Sequence, residues 1–286
     1  MRFAPIQHDP AVLAQYGALF AACFPGTDKF TSSYLDWLYV ANPDGPAVGF
    51  DAWDGERLAA HYACIPARAW IEGRQTLVLL SLNTATHPDY QGQGLFTKLA
   101  AATFEAGAAA GFDGVYGVAN ANSTPGFIRK LGFQLVRPLE ARIGLGGFHH
   151  GHKAPASTLS FERSWTTQAL AWRCANPHNP VWRKTNGKRQ QFHAAAFGLR
   201  LPAYAELPCK RGADPDADSI GAPRLSAARL FLGLNPDESS NYWNYASIPQ
   251  RLRPSPLNLI YRSFVPRVAA LDPSRIQFTF LDFDAY

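Results

Sequence analysis

Apolar positions in residues 11–24 recur with a helical period, and Pro25-Gly26 follows, which predicts a helix ending there. Thr31 or Ser32 caps a second predicted helix carrying Tyr34, Leu35, Trp37 and Leu38, which stops before Asn42-Pro43. The pattern then changes to extended runs at 47–53, 58–65, 67–72 and, longest of all, 76–86, with turns at 54–57 and 73–74. After a loop over 87–94, Leu95, Leu99, Phe104 and many alanines predict a strong helix over 95–110, ended by Gly111. Residues 113–118 read as a buried strand. Residues 123–131 read as a helix with Pro125 in its first turn and Gly132 as its stop. Residues 133–136 and 141–145 close the series as strands. Strands, loop, helix, strand, helix, strand is the order of an α/β (α+β) unit built on a mixed sheet flanked by helices.

The second half is less regular. Strands are expected at 224–233, 257–264 and 276–283, a helix at 238–252 and a surface loop at 211–223. The glycine- and histidine-rich stretch 147–157 reads as a linker between a domain at 1–146 and another at 158–286. Its His149, His150 and His152 have no acidic ligand cluster beside them, so no metal is expected. Trp37-Leu-Tyr-Val-Ala-Asn42-Pro43 is echoed by Trp172-Arg-Cys-Ala-Asn176-Pro177, one residue shorter, which suggests an internal duplication.

Composition narrows the function classes. With 286 residues, 47% of them hydrophobic, the chain can bury a large core. A net charge of +5 suits an anionic small molecule. Lysines and arginines are scattered, so no nucleic-acid partner is expected, and the densest stretch, Arg183-Lys184 to Lys188-Arg189, reads as a solvated loop. Cys23, Cys64, Cys174 and Cys209 form no C-x-x-C pair, against a zinc or thioredoxin-like site. No signal-peptide pattern and no apolar window of about 18 residues occurs, so no membrane role and a cytoplasmic, reducing location are expected.

The chemistry concentrates in Thr84-Ala-Thr86-His87-Pro88-Asp89-Tyr90-Gln91-Gly92-Gln93-Gly94-Leu95-Phe96. A strand runs into a tight loop from which a helix starts. Unpaired N–H groups and the positive end of the helix dipole face outward there, making an anion site suited to a pyrophosphate. Gly92 and Gly94 permit the sharp turn and leave no side chain between backbone and phosphate.

Gln91-Gly92-Gln93-Gly94, introduced by His87-Pro88-Asp89-Tyr90, resembles the acetyl-CoA signature of the GNAT superfamily of N-acetyltransferases. A second block, from Asn120 and Asn122-Ser123 through Phe127-Ile128 to Leu131-Gly132-Phe133, resembles that family's following motif. The resemblance spans roughly residues 37–145. It implies a GNAT fold, with a second, degenerate GNAT-like half, and acetyl-CoA as co-substrate. It implies that the backbone of Thr84 and Thr86 pairs with the pantetheine arm. Gln91, Gly92, Gln93, Gly94, Leu95 and Phe96 would hold the pyrophosphate. Asn122 would bond the pantetheine or set the loop, and Phe127 would pack along the thioester end or belong to the core.

Two expected catalytic groups are missing. The family's tyrosine, four residues before the glycine of the Gly-Phe pair, is Ile128 here, and the long strand offers Ser81 and Asn83 but no glutamate. Candidates to fill these roles are His61 as base, Asn83, and Tyr116 as acid; each could instead be structural. Asp282, Asp284 and Tyr286 form a polar cluster near the C-terminal end. Cys64, on the strand of His61, is a candidate nucleophile. The expected reaction is acetyl transfer to a small-molecule primary amine, with an amino sugar or nucleotide-linked amino sugar as first acceptor guess. Another acyl or aminoacyl transfer, or a non-catalytic acyl-CoA sensor, are the alternatives. A monomer or a homodimer would both serve.

Overall fold

The computed structural model describes residues 1–150, 158–187, 189–196, 201–209, 226–236, 240–241, 243–253 and 255–284. The opening helices form where local signals place them. Asp9 accepts from the Val12 N–H to cap α1 (Pro10–Cys23), and Thr31 accepts from the Tyr34 N–H to cap α2 (Ser32–Tyr39). The strong helical pattern is α3 (Leu95–Ala109), and the Pro125 helix is α4 (Thr124–Leu131). In the second half, Thr166 caps α5 (Thr167–Cys174) as Thr31 caps α2.

The first sheet runs β1 (Arg2–Pro5), β2 (Val48–Asp54), β3 (Arg57–Ile71), β4 (Arg74–Thr86), β5 (Gly114–Ala119), then β16 (Asn258–Ser263), then β6 (Gln134–Pro138), with β9 (Phe161–Arg163) on the far end of β3. The second runs β10 (Trp182–Asn186), β11 (Arg189–Ala194), β12 (Ala203–Pro208), β13 (Ala228–Gly233), β7 (Glu140–Leu145) and β15 (Tyr245–Ser247). A short ladder joins β8 (His149–His150) to β14 (Ser240–Asn241). From β2 and from β10 onward the two sheets repeat one pairing order: antiparallel, antiparallel, parallel, antiparallel, antiparallel. In each, the fifth strand comes from the other half of the chain.

Several expectations change here. The division at 147–157 is not a division between sheets: β7, before it, lies in the second sheet, and β16, after it, lies between β5 and β6 of the first. The strands expected at 58–65 and 67–72 are one strand, β3, because Pro66 lies past the last pair with β2 (Cys64↔Val48), where its missing N–H breaks no ladder on that side. The basic stretch from Arg183 is the β10–β11 hairpin. Within 238–252 the described residues hold β14, β15 and a 3₁₀ turn over Gln250–Leu252, not a helix; Pro249 precedes that turn, and β15 joins a sheet edge. The strand expected at 276–283 is reduced to isolated bridges at Ile276 and Phe278, and Thr279 and Asp282 form a reciprocal capping box that winds Phe280–Asp282 into a 3₁₀ turn. The loop expected at 211–223 and most of the linker, with the His152 side chain, lie outside the described residues.

The two halves meet at the echoed motif. Trp37 and Trp172 stack with ring centroids 4.7 Å apart and planes 15° from parallel. Each indole N–H donates to the other's backbone carbonyl, at 2.9 and 2.8 Å. Aromatic residues from both halves fill one core, from Tyr16, Phe20 and Tyr34 to Phe161 and Phe278. A second core lies beneath α3 and α4.

The second sheet carries a pH-sensitive group. His193 is 4% exposed, and no partner takes its Nδ1. Burial, and after it the Arg229 charge, push its pKa down to about 4. Between the ordinary value near 6.5 and about 4, the unfolded chain binds a proton that the folded chain refuses. Stability therefore falls as pH drops through that window, by at most about 1.4 kcal/mol per pH unit from this group. His193→Phe is expected to flatten the melting temperature against pH between 6.5 and 4. Equal slopes in the two proteins would remove His193 as the cause.

Candidate active site

The strands of the first sheet part at one place. β4 and β5 run parallel and pair only at Leu79↔Val115, Leu80↔Tyr116 and Ser81↔Gly117. Past Ser81, β4 continues to Thr86 with no strand on that side. An open cleft of about 470 Å³ follows this unpaired edge, lined by Thr84, Ala85 and Thr86, the loop residues Tyr90, Gln91, Gly92 and Gly94, and the first turn of α3.

The loop exposes its backbone to the cleft. Gly92 and Gly94 hold φ of +78° and +71°, and a Cβ at either would meet nothing within 4 Å, so it is the backbone conformation that calls for glycine. Gly94 is the N-cap of α3, and no side chain caps that end. The first-turn N–H groups thus face the cleft without an internal partner. The approach to the loop is tied down at the surface. Arg57 Nη2 donates to Asp89 Oδ2 at 2.8 Å and lies 3.0 Å from His87 Nε2, while the Tyr90 hydroxyl donates to Asp54 at 2.8 Å.

Sequence-expected residues sort into three groups. Thr84, Thr86, Gln91, Gly92, Gly94, Leu95 and Phe96 line the cleft; Gln93 lies in the same exposed loop but does not line it. Phe127 is buried behind the cleft wall, its ring 5.2 Å from Phe96 and 5.0 Å from Phe133, which is the core alternative for that residue. Asn122 is exposed. The loop there is shaped by Asn120, whose Oδ1 accepts from the backbone of Asn122 and Ser123. Four lining residues escaped the sequence reading: Cys23 and Phe24 at the end of α1, Thr97 in the first turn of α3, and Lys130 in the last turn of α4. Nothing local marks them, because each reaches the cleft by the packing of its helix. Burial pushes the Cys23 thiol up, against a hydrogen bond from the Thr86 backbone. Lys130 is the one lysine or arginine lining the cleft among the described residues.

The catalytic candidates fare differently. Tyr116 is fully buried, and its hydroxyl donates to the Asp282 carbonyl at 2.8 Å. Burial, opposed mainly by the nearby Arg163 charge, raises its pKa above the ordinary tyrosine value. It does not line the cleft, so its place is structural. Cys64 is also fully buried, its thiol pushed up to about 12 by that burial, which leaves no thiolate for nucleophilic attack. Asp282 is buried, accepting from the Trp165 indole and the Thr279 backbone, and Asp284 pairs with Lys29 and Tyr34. Both belong to the seam between halves; Tyr286 lies outside the described residues. His61 is fully buried, yet it connects to Asn83: His61 Nε2 lies 2.9 Å from the Tyr39 hydroxyl, which accepts from Asn83 Nδ2 at 3.0 Å.

Residues 9–136 match the family model of the acetyltransferase (GNAT) domain. This part of the chain belongs to the GNAT family. No curated protein matches the sequence. Among solved structures, Eis1 from Mycobacterium abscessus superposes with a TM-score of 0.55 at 11% identity, over 91% of this chain and 73% of that one. A GCN5-related N-acetyltransferase from Anabaena variabilis gives 0.58 at 11%, over 91% and 72%. A probable N-acyltransferase from Enterococcus faecalis gives 0.58 at 10%, over 92% and 73%. At these identities the likeness is one of fold, and it extends past the GNAT domain to the second sheet. Acetyl-CoA is the ligand of GNAT domains, and here an uncapped helix start lies at one end of an unpaired strand edge. Among the described residues, no group of three or more metal-ligating side chains occurs, and no helix is long and apolar enough to cross a membrane.

Proposed function

We propose that the GNAT domain binds acetyl-CoA along β4 and transfers the acetyl group to a primary amine. The observation that carries the reading is the junction of the unpaired β4 edge with the uncapped start of α3. The pyrophosphate sits on the N–H groups of residues 91–96, and the pantetheine arm adds to the edge at Thr84 and Thr86 as a strand would. The amine nitrogen attacks the thioester carbonyl. A C–N bond forms and the C–S bond breaks. Sulfur takes the electron pair and the proton that the amine loses, giving an amide and the coenzyme A thiol. With no carboxylate lining the cleft among the described residues, the rate rests on orientation of the two reactants.

The second half is a degenerate copy of the first that has kept the strand order and lost the phosphate loop. The repeated pairing order and the reciprocal Trp37–Trp172 contact support this. It would complete the acceptor side, and amino sugars are the first class to test there. Trp243, 70% exposed beside Tyr245 at the edge of the second sheet, could stack on a sugar.

The carboxylate-free lining also favours a second reading, a non-catalytic acyl-CoA sensor. Thiol release from acetyl-CoA, followed across a panel of simple amines, amino sugars and nucleotide-linked amino sugars, separates the two. Amine-dependent release is expected. Tight acetyl-CoA binding with no release for any amine would favour the sensor.

A further inference from the structure

A chain of buried hydrogen bonds ends at Asn83, the residue before the cleft-lining Thr84. The Gln7 N–H donates to the Tyr16 hydroxyl at 3.0 Å, and that hydroxyl donates to Asp51 Oδ2 at 2.7 Å. Asp51 Oδ1 lies 2.7 Å from His61 Nδ1, His61 Nε2 lies 2.9 Å from the Tyr39 hydroxyl, and Asn83 Nδ2 donates to that hydroxyl at 3.0 Å. Asp51, His61 and Tyr39 are each no more than 1% exposed.

Proton counting gives the chain one direction. A carboxylate only accepts, so when the His61 imidazole carries a single proton, that proton lies on Nδ1, facing Asp51. Nε2 is then an acceptor, and the single proton of Tyr39 is spent on it. Tyr39 oxygen can accept only from an N–H, which places the Asn83 amide nitrogen inward. The orientation of an amide is otherwise ambiguous; here the buried carboxylate sets it from three links away. Asn83 Oδ1 is left turned away from Tyr39, and among the described residues nothing bonds to it.

The backbone at Asn83 is special in the same way. The β3–β4 register slips between Tyr62↔Thr84 and Ala63↔Leu82, so Asn83 is a bulge residue with no partner on β3. Its φ is +39°, a region that asparagine tolerates better than other side-chain-bearing residues. Bulges re-aim side chains, and strained backbone gathers at functional sites. The position fits. With the pyrophosphate at Gly92–Gly94 and the pantetheine along Thr86 and Thr84, the acetyl end falls where β4 and β5 close together again at Ser81↔Gly117. Asn83 stands at that point. Its amide bonds to α2, on the face of the sheet opposite α3.

We infer that Asn83 Oδ1 accepts an N–H hydrogen bond from the attacking amine and aims its lone pair at the acetyl carbonyl, and that Tyr39, His61 and Asp51 are positioning residues that fix the Asn83 amide in that orientation. This rests on the acetyl-transfer reading above. Tyr39 is itself no proton acceptor: burial foremost drives its pKa well above the ordinary tyrosine value.

A kinetic cycle tests it. Tyr39→Phe keeps the ring and removes the hydroxyl. It is expected to lower kcat at least ten-fold with the best amine while acetyl-CoA affinity stays within two-fold. Asn83→Ala should lower kcat by a similar factor. In the Asn83→Ala background, Tyr39→Phe should then change kcat less than two-fold. The same loss from Tyr39→Phe in both backgrounds, or a parallel loss of acetyl-CoA affinity, would overturn the inference. A second measurement needs no turnover and no Tyr39 variant. The Asn83 side-chain amide resonances, assigned by their absence in Asn83→Ala, should shift when methylamine is titrated into the coenzyme A-bound protein. Unmoved resonances would overturn the inference. Failure of the acetyl-transfer reading looks different, as an absence of thiol release by the wild-type protein with every amine.

Discussion

Gly94→Glu is expected to raise the dissociation constant for acetyl-CoA at least one hundred-fold while leaving the protein folded. Two effects act together. A carboxylate placed at the N-cap of α3 sits on the helix end that should receive the pyrophosphate, and like charges there oppose each other with little water between them. The new side chain also fills the approach to the backbone N–H groups. Two factors of ten correspond to about 2.8 kcal/mol. The fold should tolerate the change, because a Cβ at residue 94 meets nothing within 4 Å and the only cost is a side chain at φ +71°, about 1–2 kcal/mol. Gly94→Ala separates the two contributions, since it keeps the strain and omits the charge; its affinity loss should stay within about five-fold, which is about 1 kcal/mol. Calorimetric titration reads both. Unchanged affinity in Gly94→Glu would remove the loop from the cofactor site.

The second large effect concerns the seam. Trp37→Ala or Trp172→Ala each removes a buried or half-buried indole, one face of a stacked pair and one of two reciprocal hydrogen bonds. Truncating a packed tryptophan costs roughly 3–5 kcal/mol. For a chain of this size that is about 2–4 °C of melting temperature per kcal/mol, so a fall of about 10 °C is expected. Because each ring is the other's partner, the double variant should lose less than the sum of the two single ones. Thermal unfolding of the four proteins closes the cycle. Additive losses would mean that the rings act independently, and the seam would need another explanation.

The strand–glycine loop–helix geometry at residues 84–96 was legible because everything that shapes it lies within a few residues. Strand pattern, Gly92, Gly94 and the helix pattern from Leu95 follow one another in the sequence, and the structure keeps that order. The N-caps at Thr31 and the stop at Gly132 were legible for the same reason. The catalytic candidates were not. His61 as a base and Asn83 as an isolated polar residue on a strand gave no sign of a connection, because Tyr39 joins them from a helix 22 residues before one and 44 before the other. The bulge that gives Asn83 its positive φ is a property of the β3–β4 register, not of any residue pattern. The helix expected at 238–252 shows the opposite failure. There a helical reading yields to edge pairing with β7, which the local pattern did not signal.

The sequence by itself determined the elements of the first half, the GNAT signature, the glycine turn ahead of α3 and the echo of Trp37 in Trp172, since capping, periodicity and turn chemistry act over a few neighbouring residues. Only the tertiary structure decided that β7 and β16 exchange sheets, that the echoed tryptophans touch across 135 residues, and that the cleft lining takes in Cys23, Phe24 and Lys130. Those outcomes depend on which apolar faces bury each other and on where parallel strands stop pairing. Both are set by the whole core at once, and no short stretch of the chain contains them.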